Sequence, residues 1–383
     1  MPVKKQLVDI INLNADASCL SSKRWLTALS GGKESELFLI LNAYVEHDLK
    51  VNIGIIGSTL AEIEELNPEC IDLINNYPQN FQILIRPFIH SLSILWNDDT
   101  FHTNYTLGKR YIENTFKNVL NWYLPPEFAL RNSQIFTIRK ETEGTFIHPK
   151  RIKEDAKEKI PLGLFNLGTL QSEKIKCIQL TENFDSYYLD HIQVFRSQYT
   201  FDQEVILGWR DGESPFFLTD SVEREQIFIK NSQKDFDRIF LSEYLKSTNQ
   251  ANLKEYDAYP QNSLLPWLGN FRLYWFLADV KKLEGQFHDL DIEKKVLFLN
   301  LLNSDILSSI EKNNVSVLLK DLYSENINPY VIKRCERNLD AEELLFLIKN
   351  APINELDESI NKLNARLVKR IKAKNKILKK LLK

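Results

Sequence analysis

Lys50-Val-Asn-Ile-Gly-Ile-Ile-Gly-Ser-Thr-Leu-Ala-Glu-Ile-Glu-Glu-Leu66 is the stretch whose reading decides the fold. Val51 to Ile56 is a short apolar run that reads as a strand. Ser58 follows as an N-cap, and helical spacing takes over. The same pairing recurs on both sides. Upstream, Gln6 to Leu13 reads as a buried strand, and Lys33 to His47 as a helix with Leu37, Ile40, Leu41 and Tyr44 on its apolar face. Downstream, strands are expected at Phe81 to Ile85, Asn121 to Leu124, Ile135 to Ile138, Lys176 to Leu180 and Glu204 to Trp209. Helices are expected at Leu107 to Leu120 and Asp185 to Ser197. Strand–helix alternation of this kind predicts an α/β fold with a parallel sheet, open or closed into a barrel.

Beyond about residue 220 the strand signals stop. Asp235 to Lys246, Trp267 to Phe287 and Ile292 to Leu302 read as helices. Residues 141–175 read as a long irregular insertion, the kind that shapes a site from a loop. Residues 355–383 read as one basic helix with Leu363, Leu367, Ile371, Leu378 and Leu382 near one stripe. Such a stripe is the usual mark of packing, here as a cap on the fold or a contact with another subunit or partner. The alternative is contact with a membrane surface or a polyanion. The expected division is therefore a barrel domain at 1–225, a helical domain at 226–350 and the basic helix at 351–383.

With 383 residues, 43% of them apolar, the chain can bury one large domain and a helical annex. No run of about 18 apolar residues is present, so no membrane span is expected. No convincing signal peptide opens the chain. Cys19, Cys70, Cys177 and Cys335 are scattered, without zinc-type spacing, and fit free thiols in a reducing compartment. The expected location is cytoplasmic, with no cofactor or metal. Residues 366–383 hold nine Lys or Arg and no acid, which leaves 40 basic and 52 acidic residues elsewhere. An acidic body disfavours a nucleic-acid partner.

In a parallel barrel, chemistry gathers where strands end. Four such places carry polar residues: Asn12-Leu-Asn14-Ala-Asp16, Arg86-Pro-Phe-Ile-His90, Trp122-Tyr-Leu-Pro-Pro-Glu127 and Trp209-Arg-Asp211-Gly-Glu213. Each has a plain reading as well. Glu127 also reads as an acid at a helix N-terminus. Asp211-Gly212 also reads as a turn, and His90 as a packed histidine. Jointly they supply two carboxylates on separate strand ends. That is the minimum for a retaining glycosidase, whose nucleophile and proton donor lie about 5–5.5 Å apart.

Five segments resemble glycoside hydrolase family 57, in that family's order. They are Lys50–Leu66, Arg86–Leu95, Leu124-Pro-Pro-Glu-Phe-Ala129, Val205-Ile-Leu-Gly-Trp-Arg-Asp-Gly-Glu213 and Ser263–Trp275. The resemblance implies a (β/α)7-type incomplete TIM-like barrel followed by an α-helical bundle. It implies retaining chemistry on an α-glucan or related polysaccharide, by hydrolysis or by transfer between glucans. Glu127 would be the nucleophile and Asp211 the acid/base. His90 would hold a sugar hydroxyl, with Asn12, Asn14, Asp16, Glu213, Trp267 and Trp275 as further substrate contacts. The family's first strand ends in a His-x-His motif, where this chain has Asn12 and Asn14. Asparagine exchanges hydrogen bonds with hydroxyls but carries no proton or charge. Two alternatives follow: a catalytically impaired member that binds saccharide or serves in polysaccharide assembly, and a metal-dependent polysaccharide deacetylase using Asp16 and His90.

Overall fold

The computed structural model describes residues 4–14, 22–128, 130–147, 163–168, 174–179, 188–189, 192–193, 198–202, 205–211, 221–234, 236–248, 255–256, 280–303 and 365–383. The strands are β1 (Lys5–Leu13), β2 (Val51–Ile55), β3 (Phe81–Ile85), β4 (Val119–Tyr123), β5 (Gly144–Ile147), β6 (Gly163–Gly168), β7 (Lys174–Gln179), β8 (Tyr188–Leu189), β9 (Ile192–Gln193), β10 (Gln198–Asp202), β11 (Val205–Asp211), β12 (Phe236–Arg238) and β13 (Glu255–Tyr256). The helices are α1 (Ser22–Leu29), α2 (Glu36–Glu46), α3 (Gly57–Leu66), α4 (Pro68–Asn76), α5 (Asp98–Thr115), α6 (Asn132–Ile138), α7 (Ser221–Ser232), α8 (Leu241–Ser247), α9 (Ile292–Leu301) and α10 (Ala365–Leu382).

The sheet runs β11-β1-β2-β3-β4-β5-β7, and every neighbouring pair in that run is parallel. Antiparallel β10 extends it beside β11, and antiparallel β6 beside β7. This is the expected incomplete TIM-like barrel. Continuous apolar runs form its central strands because both faces are covered: β2 and β3 are buried at every position. Alternation still sorts the two faces. Val8 and Ile10 of β1, Leu84 of β3, Trp122 of β4, Phe146 of β5, Ile178 of β7 and Leu207 of β11 belong to one buried cluster, the barrel interior.

Helix α8 belongs to that same cluster through Leu241, Tyr244 and Leu245. Its first amides are received by barrel side chains. The Leu241 amide donates to Asn52 Oδ1 at 2.9 Å, and the Ser242 amide to Gln82 Oε1 at 3.1 Å. These polar residues in otherwise apolar strands thus satisfy orphan donors of a helix terminus. On the opposite face of β1, buried Asp9 pairs with buried Arg238 of β12. Arg238 also donates to Ser232 of α7, and the Tyr44 hydroxyl of α2 lies 3.3 Å from Asp9.

Several local expectations change. Ile135–Ile138, expected as a strand, closes helix α6, whose start at Arg131 is capped by the Gln134 side chain. Helix α3 begins at Gly57 with Ile56 as its N-cap, so Ser58 lies within the first turn. The stretch 141–175 holds β5 and β6, and β8 and β9 pair within the expected helix 185–197. Expected helix 267–287 lies mainly outside the described residues. Chain contacts divide the molecule into two units: Met1–Asn14, Thr27–Phe88 and Ser93–Asn262 form one, and Ala15–Leu26, Ile89–Leu92 and Ser263–Lys383 the other. Within the second, basic helix α10 packs on α9, burying Ala373 and Leu378, and Asn300 donates to Asn375 at 3.0 Å. Among the described residues, no helix is long and apolar enough to cross a membrane.

Candidate active site

Strand register assembles the first part of the site. Asn12, near the end of β1, pairs with Asp211 on one side and with Gly54 on the other. Gly54 is glycine for a reason of space. A Cβ built there would lie 2.4 Å from Leu124 Cδ2, 3.4 Å from Arg86 Cδ and 3.6 Å from Asn12 Oδ1. Asn12, Arg86 and Leu124 therefore converge over one glycine, in the layer just above Ile10, Leu84 and Trp122. That layer lies at the C-terminal ends of the strands, where parallel barrels carry their chemistry.

Arg86 follows the last residue of β3 and is only 1% exposed. Its segment is held firmly. The first amides of α3 donate into it, from Gly57 to the Pro87 carbonyl (3.1 Å) and from Ser58 to the Phe88 carbonyl (2.7 Å). Gly108 of α5 lies directly against the segment: a Cβ there would meet the Arg86 carbonyl oxygen at 2.3 Å. Nearby, burial pushes the Tyr123 phenol well above its usual range, opposed by the Arg86 charge and by a hydrogen bond with Ser93.

Glu127 lies in the short 3-10 turn Pro126–Phe128 that follows β4. The turn is fixed from its far end. Phe128 has φ of 51°, a left-handed conformation uncommon for a residue with a side chain. Its ring is buried against Phe146 of β5 and Trp209 of β11, with centroids 6.4 and 5.5 Å away. Leu124, at the head of the turn, donates its amide to the Ile85 carbonyl at 2.9 Å. Strand β4 is four steps from β11 in the sheet order. The Phe128–Trp209 contact shows that these two walls meet across the interior. The turn bearing Glu127 therefore abuts β11 two residues before Asp211.

Asn14 is half-buried just after β1. His90 is buried, but it belongs with Ile89–Leu92 to the second unit, where Ser91 bridges Asn303. Asp16, Glu213, Trp267 and Trp275 lie outside the described residues. Arg86 and Phe128 were not read as site residues from the sequence. For the first, the sequence offered only an arginine one residue past a strand end, and its burial shows only in the structure. Nothing in Pro-Pro-Glu-Phe announces a left-handed phenylalanine. Among the described residues, no cluster of three or more His, Cys, Asp or Glu has the arrangement of a metal site.

No curated protein matches this chain. Solved structures do. A 4-alpha-glucanotransferase from Thermococcus litoralis superposes with a TM-score of 0.54 at 14% identity, covering 80% of this chain and 54% of its own, so this chain spans about half its length. A branching enzyme from Thermococcus kodakaraensis, in complex with glucose, gives 0.57 at 11% identity, with 97% and 96% covered. An alpha-amylase from Thermotoga maritima gives 0.53 at 9% identity, with 98% and 97% covered. At such identities the likeness establishes the fold. The family model described as glycosyl hydrolase family 57 matches residues 33–211, a span that holds both Glu127 and Asp211. Over residues 33–211 this chain is thus similar to glycosyl hydrolase family 57, on the fold that these solved structures share.

Proposed function

We propose that the protein is a carbohydrate-active enzyme that works on an α-glucan or a related polysaccharide by retaining double displacement. Glu127 attacks the anomeric carbon and forms the glycosyl-enzyme intermediate. Asp211 protonates the departing oxygen, then removes a proton from the incoming water or sugar hydroxyl. One observation carries the reading: the Phe128–Trp209 contact, which brings the Glu127 turn against β11 close to Asp211. A retaining mechanism needs two carboxyl groups about 5–5.5 Å apart. Asn12, buried beside Asp211, offers a neutral donor and acceptor for a sugar hydroxyl. The saccharide substrate and the two carboxylate roles rest on this reading and on the family match.

The test is turnover of maltooligosaccharides by wild type, Glu127→Gln and Asp211→Asn, with product anomers followed by proton NMR. Wild type should release or transfer the α-anomer. Glu127→Gln should lose at least about 10³-fold in rate, the order expected for a lost nucleophile. Asp211→Asn should lose about 10²–10⁴-fold, the range for a lost general acid. A wild type that binds these sugars but never turns them over would favour the second reading, a saccharide-binding member. The neutral Asn12, where the family pattern has histidine, is the observation that supports that second reading.

A further inference from the structure

We propose that α10 is a docking element, whose basic stripe seats on the acidic α2–α4 face of a second copy of this chain. The inference stands apart from the reading of the barrel as an enzyme. Residues 366–383 hold nine Lys or Arg and no acid. One side of α10 packs on α9 within its own unit, where Ala373 and Leu378 are buried and Asn375 is bonded to Asn300. Lys376 and Lys380, one turn apart, and Lys383 just after the helix are exposed. Ile377, Leu381 and Leu382 beside them are half-buried. The outer side of α10 is thus a line of cations flanked by partly covered apolar side chains.

The first unit carries the complement. Residues 34–85 contain nine Asp or Glu and a single Lys. That cation, Lys50, is paired with Glu243 at 2.6 Å. Helices α2 and α4 run side by side. Asn67 Nδ2 donates to Ser35 Oγ at 2.6 Å where both begin, and Asn80 Nδ2 donates to the Leu49 carbonyl at 3.1 Å beyond their ends. Glu46 on α2 and Asp72 on α4 are exposed. The same layer holds all three exposed large apolar side chains among the described residues: Leu39 of α2 (38%), Tyr77 at the end of α4 (38%) and Ile227 of α7 (40%). Leu39 and Ile227 adjoin, because Gln226 of α7 donates to the Leu39 carbonyl at 3.3 Å. Helix α7 adds no net charge, with Glu223 and Glu225 against Arg224 and Lys230. Exposed apolar side chains rimmed by charge mark a surface that meets a partner.

Three anionic partners suit a basic stripe. An anionic lipid surface and a nucleic acid both repel the rest of the chain, whose 40 basic and 52 acidic residues leave it net negative. A bilayer is also denied the apolar side of α10, which packs on α9. A second copy brings the acidic face itself. Each copy carries both surfaces, so a two-fold pair makes the contact twice. Repetition matters because a single exposed ion pair contributes little.

The test is the mass of the full chain in solution, by sedimentation velocity over a protein dilution series. It is run at about 0.1 M and about 1 M NaCl, between which the Debye length shrinks from about 10 to about 3 Å. Wild type should dimerise in the first and shift toward monomer in the second. Lys376→Glu with Lys380→Glu should weaken the association at least about tenfold, because like charges then face each other. Glu46→Lys with Asp72→Lys should do the same from the other side. Mixed in equal amounts, the two double variants should associate again, since each reversed face meets its opposite. All four positions are exposed, and far-UV circular dichroism checks that the variants fold. A wild type that stays monomeric at about 0.1 M salt overturns the proposal without any variant. So does an association that neither reversal weakens, or one that mixing fails to restore. The other two occupants are read with the same proteins. A monomeric wild type that sediments with phosphatidylserine vesicles, or retains single-stranded DNA, and loses this in Lys376→Glu with Lys380→Glu assigns α10 to lipid or nucleic acid and overturns the second copy.

Discussion

At the scale of single residues, Phe128 shows how the chain fixes the turn that carries Glu127. A left-handed backbone costs a side-chain-bearing residue about 1–2 kcal/mol, and strain of this kind gathers at functional sites. Here the buried ring, held between Phe146 and Trp209, offsets that cost and keeps the residue before it in one place. The two contributions can be separated. Phe128→Ala removes the ring and keeps the strain, at a cost of about 3–5 kcal/mol. Phe128→Gly removes the ring as well but relaxes the backbone. Elsewhere glycine is usually less stable than alanine by roughly 0.5–1 kcal/mol. At this position the order should reverse, with Phe128→Gly the more stable of the two in urea unfolding. Equal midpoints, or alanine ahead, would mean that the turn carries no strain.

At the scale of elements, the buried Asp9–Arg238 pair ties β1 and β12 to α2 and α7. Losing one partner strands a charge in the interior, so Arg238→Met should cost about 3–5 kcal/mol. Replacing both, Asp9→Leu with Arg238→Met, should recover a large part of that loss in the same thermal or urea measurement, because no charge is then left buried. A double variant as unstable as the single one would contradict this account. The pair also marks the limit of sequence reading. Gln6 to Leu13, Val51 to Ile56 and Phe81 to Ile85 were legible as strands because burial on both faces leaves a continuous apolar run. Asp9, Asn52 and Gln82 interrupt those runs, and only the register shows why: they meet an arginine and the first amides of α8. Ile135–Ile138 misled because four apolar-rich residues suit a buried strand or one turn of helix equally. Glu127 and Asp211 were legible as acids near strand ends, whereas the meeting of the turn after β4 with β11 through Phe128 and Trp209 depends on the curl of the sheet. Arg86 was passed over because charge alone does not tell a solvated arginine from one buried just past a strand end.

At the scale of the molecule, the first unit keeps an unusual set of protons when it folds. Burial holds the Cys70 thiol neutral and pushes it up to about 12, helped by Glu69 and opposed by a hydrogen bond with Ser35. The phenols of Tyr105, Tyr111 and Tyr123 are raised mainly by the same desolvation, with Glu141 adding at Tyr105 and Glu64 at Tyr111. In the unfolded chain a thiol titrates near 8.5 and a phenol near 10. Below about pH 8.5 both states hold every one of these protons, and the stabilisation is fully present. As pH rises past the unfolded values, the unfolded chain releases protons that the folded chain retains. The unfolded state then binds fewer protons, so stability falls with pH. Each group contributes a slope of up to about 1.4 kcal/mol per pH unit, from its unfolded value up to its folded one. Four groups acting together outweigh most single interactions in a fold of ordinary stability. The urea midpoint followed by far-UV circular dichroism should therefore be nearly flat from pH 7 to about 8.5 and drop steeply between about pH 10 and 12. Tyr105→Phe should make that drop shallower, because one of the retained protons is gone. A midpoint that holds level to pH 11, or a slope unchanged in Tyr105→Phe, would show that these phenols ionise in the folded barrel and are not shielded as the packing around β4 and α5 requires.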